Sequence, residues 1–219
     1  MKIALFGGTF DPVHSGHLAA ALAAQQAFAL DQVLLIPTRL PPHKRERHLT
    51  PFLHRYAMVA LACAGHPGLV PSLLEAEEEG PGGPNYSIVT VSKVAATLGP
   101  QDHLYFLVGA DAFLEIREWK EPARLLDSCD FIIVSRPGFP IDKIAEALPA
   151  GLRAGDGTAD SIPLRRRRLH LLTTVHFDIS ASAIRGLAAQ GKSLCGLVPD
   201  AVGDYIQKLG LFLHEGTAN

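Results

Sequence analysis

Residues 1–37 read MKIALFGGTFDPVHSGHLAAALAAQQAFALDQVLLIP. Ile3 to Phe6 is a short apolar run that ends at Gly7-Gly8. Leu18 to Leu30 is rich in alanine and leucine, both strong helix formers, and Val33 to Ile36 is apolar, β-branched at both ends and stopped by Pro37. The order is strand, helix, strand. The strand pattern recurs at Leu104 to Val108, closed by Gly109, and at Phe131 to Val134, closed by Ser135-Arg136-Pro137-Gly138. Strands apolar at nearly every position are buried on both faces, which predicts a parallel sheet covered by helices.

Helices are predicted between these strands over Pro51 to Ala64, Ser87 to Leu98, Pro122 to Asp127 and Ile141 to Leu148, most of them bounded by Pro or Gly. Right-handed crossovers then give a Rossmann-like, doubly wound α/β sheet with helices on both faces. Gly80 to Pro84 and Ala150 to Pro163 are turn-rich, carry no periodic pattern and are read as loops. Neither marks a boundary, so residues 1–219 are read as a single domain whose portion from about residue 180 is helical.

With 47% hydrophobic and 19% charged residues the composition is that of a packed domain rather than a disordered chain. The net charge of −2 is spread evenly: seven basic against eight acidic residues up to Ala110, thirteen against fourteen beyond. No basic half advertises a nucleic-acid partner. Cys63, Cys129 and Cys195 are far apart and form no CxxC pair, which fits a reducing compartment. The apolar run after Lys2 is too short for a signal-peptide core, and no run reaches the ~18 residues of a membrane span, so a cytoplasmic protein without a membrane partner is expected.

In an open parallel sheet the ligand crevice lies beyond the carboxyl ends of the strands, and there this sequence is chemically loaded. The first strand is followed by Gly7-Gly8-Thr9-Phe10-Asp11-Pro12-Val13-His14-Ser15-Gly16-His17, the second by Pro37-Thr38-Arg39-Leu40-Pro41-Pro42-His43-Lys44. Paired glycines allow close backbone approach, and the N–H groups of a helix entrance favour phosphate. Neither GxxxxGK[ST] nor GxGxxG is present, which argues against P-loop nucleotidases and dinucleotide-dependent dehydrogenases. His14 and His17, three apart, can face one pocket, but no third ligand follows at helical spacing, so zinc is not favoured. Taken alone, Lys44 also fits a solvated charge cluster, Arg185 a surface salt bridge, Asp111 an N-cap and Trp119 core packing.

GGTFDPVHSGH resembles the (T/H)xGH nucleotidyltransferase signature, here His14-Ser15-Gly16-His17. PPHK at Pro41 to Lys44, NYS at Asn85 to Ser87, GAD at Gly109 to Asp111, Trp119, SRPG at Ser135 to Gly138, ISASAIR at Ile179 to Arg185 and VPDAVGDYI at Val198 to Ile206 follow in family order. Across nearly its whole length the chain resembles the bacterial nicotinate-mononucleotide adenylyltransferases. The resemblance implies the nucleotidylyl transferase fold and transfer of the adenylyl group of ATP to nicotinate mononucleotide, giving deamido-NAD and pyrophosphate. Both substrates are small molecules, and Mg2+ is expected to travel with the triphosphate rather than in a carboxylate cage.

By the same resemblance, His14, His17, Lys44 and Arg185 form the catalytic set. The ATP side is assigned Gly7, Gly8, Thr9, Phe10, Gly109, Asp111, Arg136, Ile179, Ser180 and Ser182. The nicotinate side is assigned Lys44, Tyr86, Ser87, Asp111, Trp119 and Lys120, with Trp119 stacking on the pyridine ring and the backbone at Ser87 and Lys120 reading its carboxylate. Two motifs depart from the family pattern: ISST is Ile179-Ser180-Ala181-Ser182 here, and PSYT is Pro84-Asn85-Tyr86-Ser87, with Val89 where many members have Asp. Arg165 to Arg168 is read as a solvated edge rather than an RNA contact. The competing readings are an amide or phosphopantetheine acceptor with the same chemistry, and a nucleotide-binding regulator that does not turn over.

Overall fold

The computed structural model describes residues 1–41, 49–76, 83–135, 140–173 and 179–213. The chain runs β1 (Lys2–Gly8), α1 (Ser15–Phe28), β2 (Gln32–Pro37), α2 (Phe52–Cys63), β3 (Leu69–Pro71), α3 (Ser87–Ala95), β4 (His103–Gly109) and α4 (Ala110–Leu114). After a 3-10 turn at Ile116–Glu118 come α5 (Pro122–Ser128), β5 (Asp130–Val134), α6 (Ile141–Ala147), β6 (Ser161–Pro163), β7 (Arg168–Leu172), α7 (Ala181–Ala189) and α8 (Asp200–Leu209). The seven strands form one sheet in the order β3-β2-β1-β4-β5-β7-β6, parallel throughout except for β6.

Alternation along each strand divides the interior into two apolar layers. On one face Ala4, Phe6, Val33, Leu35, Leu107 and Ile132 pack with α1, α2, α7 and α8 through Ala21, Met58, Ile184 and Val202. On the other, Ile3, Leu5, Ile36, Phe106, Val108 and Phe131 pack with α3, α4, α5 and α6 through Val91, Phe113, Leu125 and Ile144. Helices on both faces make the doubly wound fold that the apolar strands predict. No described helix is long and apolar enough to cross a membrane.

Three strands depart from the sequence reading. Ser161–Pro163, inside the stretch expected to be a loop, forms the antiparallel edge strand β6 against Arg168–Leu172. Its three residues are too short to carry a period, and Pro163 looks like a breaker; at an edge a missing N–H is tolerated. Strand β7 follows an arginine run that masks it, although Leu169, Leu171 and Leu172 are buried. Strand β3 is also only three residues. Helix α1 starts at Ser15, not Leu18, because His14 is an extended N-cap (φ −142°) and Ser15, Gly16 and His17 form its first turn.

The strand order reverses at the centre. From β1 the chain winds outward through β2 to β3, then returns past β1 to lay β4 along its other side. The carboxyl ends of β1 and β4 therefore diverge into a crevice, which the residues after both strands line.

Candidate active site

The loop after β1 holds its shape around the buried ring of Phe10. Phe10 has a left-handed backbone (φ 49°), which turns its ring back over Gly8. A Cβ at Gly8 would lie 3.0 Å from that ring, so only glycine fits there without displacing Phe10, which is 2% exposed. The ring makes edge contacts with Phe6 at 5.7 Å and His17 at 5.0 Å between centroids. The loop's far end is fastened where Ser15 donates to the carbonyls of Leu197 (2.9 Å, backbone) and Gly196 (3.1 Å, hydroxyl).

His14 and His17 are brought face to face, ring centroids 3.7 Å apart and planes 27° from parallel. The backbone N–H of His14 donates to His17 Nδ1 at 3.2 Å, so in the neutral ring the proton sits on Nε2. Burial pushes the His14 pKa down to about 4, and His14 is neutral at pH 7. With His14 uncharged, the two stacked rings are not a pair of imidazolium ions at pH 7.

Both rings line a cavity of about 680 Å3 with Phe6, Gly7, Gly109, Asp111, Ser135 and Ile179. Gly109 is the N-cap of α4, and Asp111 lies exposed in that helix's first turn rather than capping it. A second cavity of about 290 Å3 shares Gly7, Val108 and Ala112 with the first and opens toward Thr9, Thr38, Tyr86, Ser87, Trp119 and Lys120. Trp119 is half-buried with its ring edge-on to Phe106, centroids 6.0 Å apart. Lys120 Nζ stands 4.3 Å above the Tyr86 ring. Buried Glu75 accepts from Thr90 Oγ1 at 2.7 Å in the same cavity.

Ser180 caps α7, its hydroxyl accepting from Ala183 N–H at 3.2 Å. One turn on, Arg185 donates to Ser182 Oγ (3.3 Å) and to the Asp11 carbonyl (2.8 Å), which places the guanidinium against the β1 loop. Of the expected site residues, Lys44 and Arg136 lie outside the described residues; Phe10, Ser180, Ser182 and Arg185 line neither cavity, and the rest line one or the other. Arg165 pairs with Asp127 Oδ2 at 3.0 Å, Arg167 donates to the Asp127 carbonyl, and Arg168 donates to Asp130 and Ser161. Three of the run's four arginines are thus engaged with the protein's own surface.

One residue escaped the sequence reading, and a second stood in it only as a departure from the family pattern. Arg55 on α2 is 1% exposed and donates to the carbonyls of Thr50 (2.9 Å), Thr9 (2.8 Å), Thr38 (2.7 Å) and Arg39 (3.2 Å). It bolts the β1 loop to the β2 loop; burial pushes its pKa down and the Asp11 charge pushes it up. The signal was available: Arg55, Met58, Val59 and Ala62 share helical spacing, and a charge on an apolar stripe needs partners. Asn85 is the second, tied to Leu40 by two hydrogen bonds.

A cytidylyltransferase-like family model matches residues 5–187. A "Probable nicotinate-nucleotide adenylyltransferase" of Moorella thermoacetica is 38% identical over 212 residues, 96% of this chain and 91% of the relative. One of the same name from Pelobacter propionicus is 42% identical over 219 residues, 97% and 98% of the two chains. The solved structure of Plasmodium falciparum nicotinic acid mononucleotide adenylyltransferase complexed with APC superposes with a TM-score of 0.70 at 20% identity, covering 96% of each chain, and so shares the fold. Matched over most of its length by the family model and over nearly all of it by these relatives, the chain belongs to the cytidylyltransferase-like family, among its nicotinate-nucleotide adenylyltransferases.

Proposed function

We infer that this protein transfers the adenylyl group of ATP to the 5′-phosphate of nicotinate mononucleotide, yielding deamido-NAD and pyrophosphate in NAD biosynthesis. The observation that carries this reading is the pair of cavities joined at Gly7 and Val108, one with the histidine pair and one with Tyr86 and Trp119. An oxygen of the acceptor phosphate attacks the α-phosphorus of ATP, a new P–O bond forms, and the bond to pyrophosphate breaks. That oxygen is already ionised at neutral pH, so no general base is required; positioning two anions and stabilising the charge that develops suffices.

In this scheme His17 Nε2–H and His14 donate to the α-phosphate and the departing pyrophosphate. Gly7, Gly8, Thr9 and Phe10 offer backbone and hydroxyl contacts, and Lys44, Arg136 and Arg185 supply cations. Ile179, Ser180, Ser182 and the entrance of α7 border the β- and γ-phosphates, with Gly109 at the entrance of α4. Asp111 accepts from a ribose hydroxyl. Trp119 and Tyr86 hold the pyridine ring, and the N–H groups of Ser87 and Lys120 face its carboxylate.

ATP is taken with a divalent cation, which we propose to be Mg2+. It would enter as part of the substrate, carried on the triphosphate with much of its water shell. We take residues 1–219 as one domain, supported by Ile184, Val202 and Ile206 of α7 and α8, which are buried in the same layer as β1. A cytoplasmic location is part of the proposal, supported by three free cysteines.

The test is pyrophosphate release from ATP and Mg2+ with nicotinate mononucleotide, nicotinamide mononucleotide or phosphopantetheine, products identified by mass. Preference for the nicotinate acceptor is expected. Preference for another acceptor would overturn the assignment of the ring cavity, and folded protein that binds ATP but turns over none of the three would favour a regulator.

A further inference from the structure

The stretch of chain that brings Trp119 to the ring cavity has little internal support. Glu115, Glu118, Trp119 and Lys120 line the cavity. They are carried by the 3-10 turn Ile116–Glu118, closed by the Glu118 N–H on the Glu115 carbonyl (2.9 Å) and the Trp119 N–H on the Ile116 carbonyl (3.2 Å). A turn this short has poor hydrogen-bond geometry and takes its position from what it is fastened to. On the inner side the fastening is Ile116, fully buried in the apolar layer shared by α3, α4, α5 and α6.

The outer fastening is Arg117. Its Nη2 donates to the carbonyls of Glu146 (2.6 Å) and Leu148 (2.8 Å), and its Nε donates to Leu148 as well (3.3 Å). Glu146 lies in the last turn of α6 and Leu148 is its C-cap, where carbonyls have no donor within the helix. A guanidinium is a donor along its whole edge, and its charge strengthens each bond. Helix α6 is itself anchored in the core by Ile144. Arg117 does not line the cavity, so any effect it has on a ligand there passes through the turn.

We propose that Arg117 is a positioning residue for the acceptor ring: by clamping the turn to the end of α6 it holds Trp119 in its place along the cavity. This rests on the reading of Trp119 as the residue that holds the ring. The histidine cavity takes no residue from the turn or from α6, so the effect is confined to the acceptor.

Trp119 is the only tryptophan, so its fluorescence reports on the turn without turnover. The test measures acrylamide quenching of the free enzyme, KM for ATP, and KM for whichever mononucleotide is converted faster, so that a preference for the amide counts against the nicotinate reading alone. The variants are Arg117→Ala, Arg117→Lys, Trp119→Ala and the double variant with both alanines. Arg117→Ala should about double the quenching constant and raise the acceptor KM about 5-fold while KM for ATP stays within about 2-fold. Arg117→Lys keeps a charged donor and should recover part of both losses. If Arg117 acts through Trp119, its removal should add less than about 2-fold to the acceptor KM once Trp119 is alanine. The full rise repeated in that background, or equal rises for ATP and acceptor, would overturn the proposal, because Arg117 would then steady the fold at large. Unchanged quenching and KM in Arg117→Ala would overturn it too. A Trp119→Ala variant with its acceptor KM unchanged would sink the ring-holding reading, and this proposal with it, even where quenching rises in Arg117→Ala.

Discussion

The Arg55 guanidinium donates to the Thr9 carbonyl at 2.8 Å, joining α2 to the loop after β1, 46 positions earlier. The same nitrogen reaches Thr38 at 2.7 Å, so one buried cation sets the spacing between the loops after β1 and β2. The crevice depends on this bond, because Thr9 and Thr38 both line the ring cavity.

Lysine at this position keeps the charge but cannot reproduce a planar fork that serves four carbonyls. Arg55→Lys should lower unfolding free energy by about 2–4 kcal/mol and kcat by more than 10-fold at temperatures where it remains folded. Urea unfolding beside steady-state kinetics checks both. A variant with kcat intact but stability reduced would confine Arg55 to folding.

A second prediction concerns acid. Burial holds His14 near pKa 4, against 6.5 in the unfolded chain, so between those values the unfolded state takes up a proton that the native state refuses. Stability from this group is therefore full above pH 6.5 and falls as pH drops toward 4, by roughly 3 kcal/mol in all. His14→Asn lacks that titration. Unfolding free energies at pH 7 and pH 5 should fall more for wild type than for the variant; parallel falls would show that His14 titrates normally.

In the proposed mechanism the histidine pair divides the labour of catalysis. The His14 N–H holds His17 Nδ1, leaving the His17 proton on Nε2 to donate in the transition state. His17→Ala should lower kcat by ~100- to 1,000-fold while leaving KM for both nucleotides within a few-fold, as loss of a transition-state donor does. Single-turnover measurements would separate this from slowed product release. Unchanged kcat would remove His17 from the mechanism.

What the sequence made legible, and what it hid, divides along a physical line. Near-continuous apolar runs such as Ile3 to Phe6 can only be buried on both faces, and so the parallel core was readable from local pattern. Residues Gly7 to His17 stood out because glycines, a threonine and two histidines gather just beyond the carboxyl end of a parallel strand, where a ligand crevice is expected. The edge hairpin of β6 and β7 was not, since pairing between Ile162 and Leu169 is a long-range fact with no local period. The partners of Arg55 and Asn85 were hidden for a related reason: a charge on an apolar helical stripe announces that it needs partners, but that these are the backbone atoms of Thr9 and Thr38, and that Asn85 holds Leu40, no local pattern records.

Trp119 is half-buried, edge-on to Phe106, and lines the cavity that Tyr86 and Lys120 share. Core packing and the proposed ring stacking are therefore separable by mutation of one side chain. Trp119→Ala should raise KM for the acceptor at least 10-fold and leave KM for ATP nearly unchanged, because stacking on the pyridine ring is worth about 1–3 kcal/mol. Trp119→Phe keeps an aromatic face and should recover most of that loss. Equal rises in both KM values, with no recovery in the phenylalanine variant, would return Trp119 to the packing of Phe106 alone.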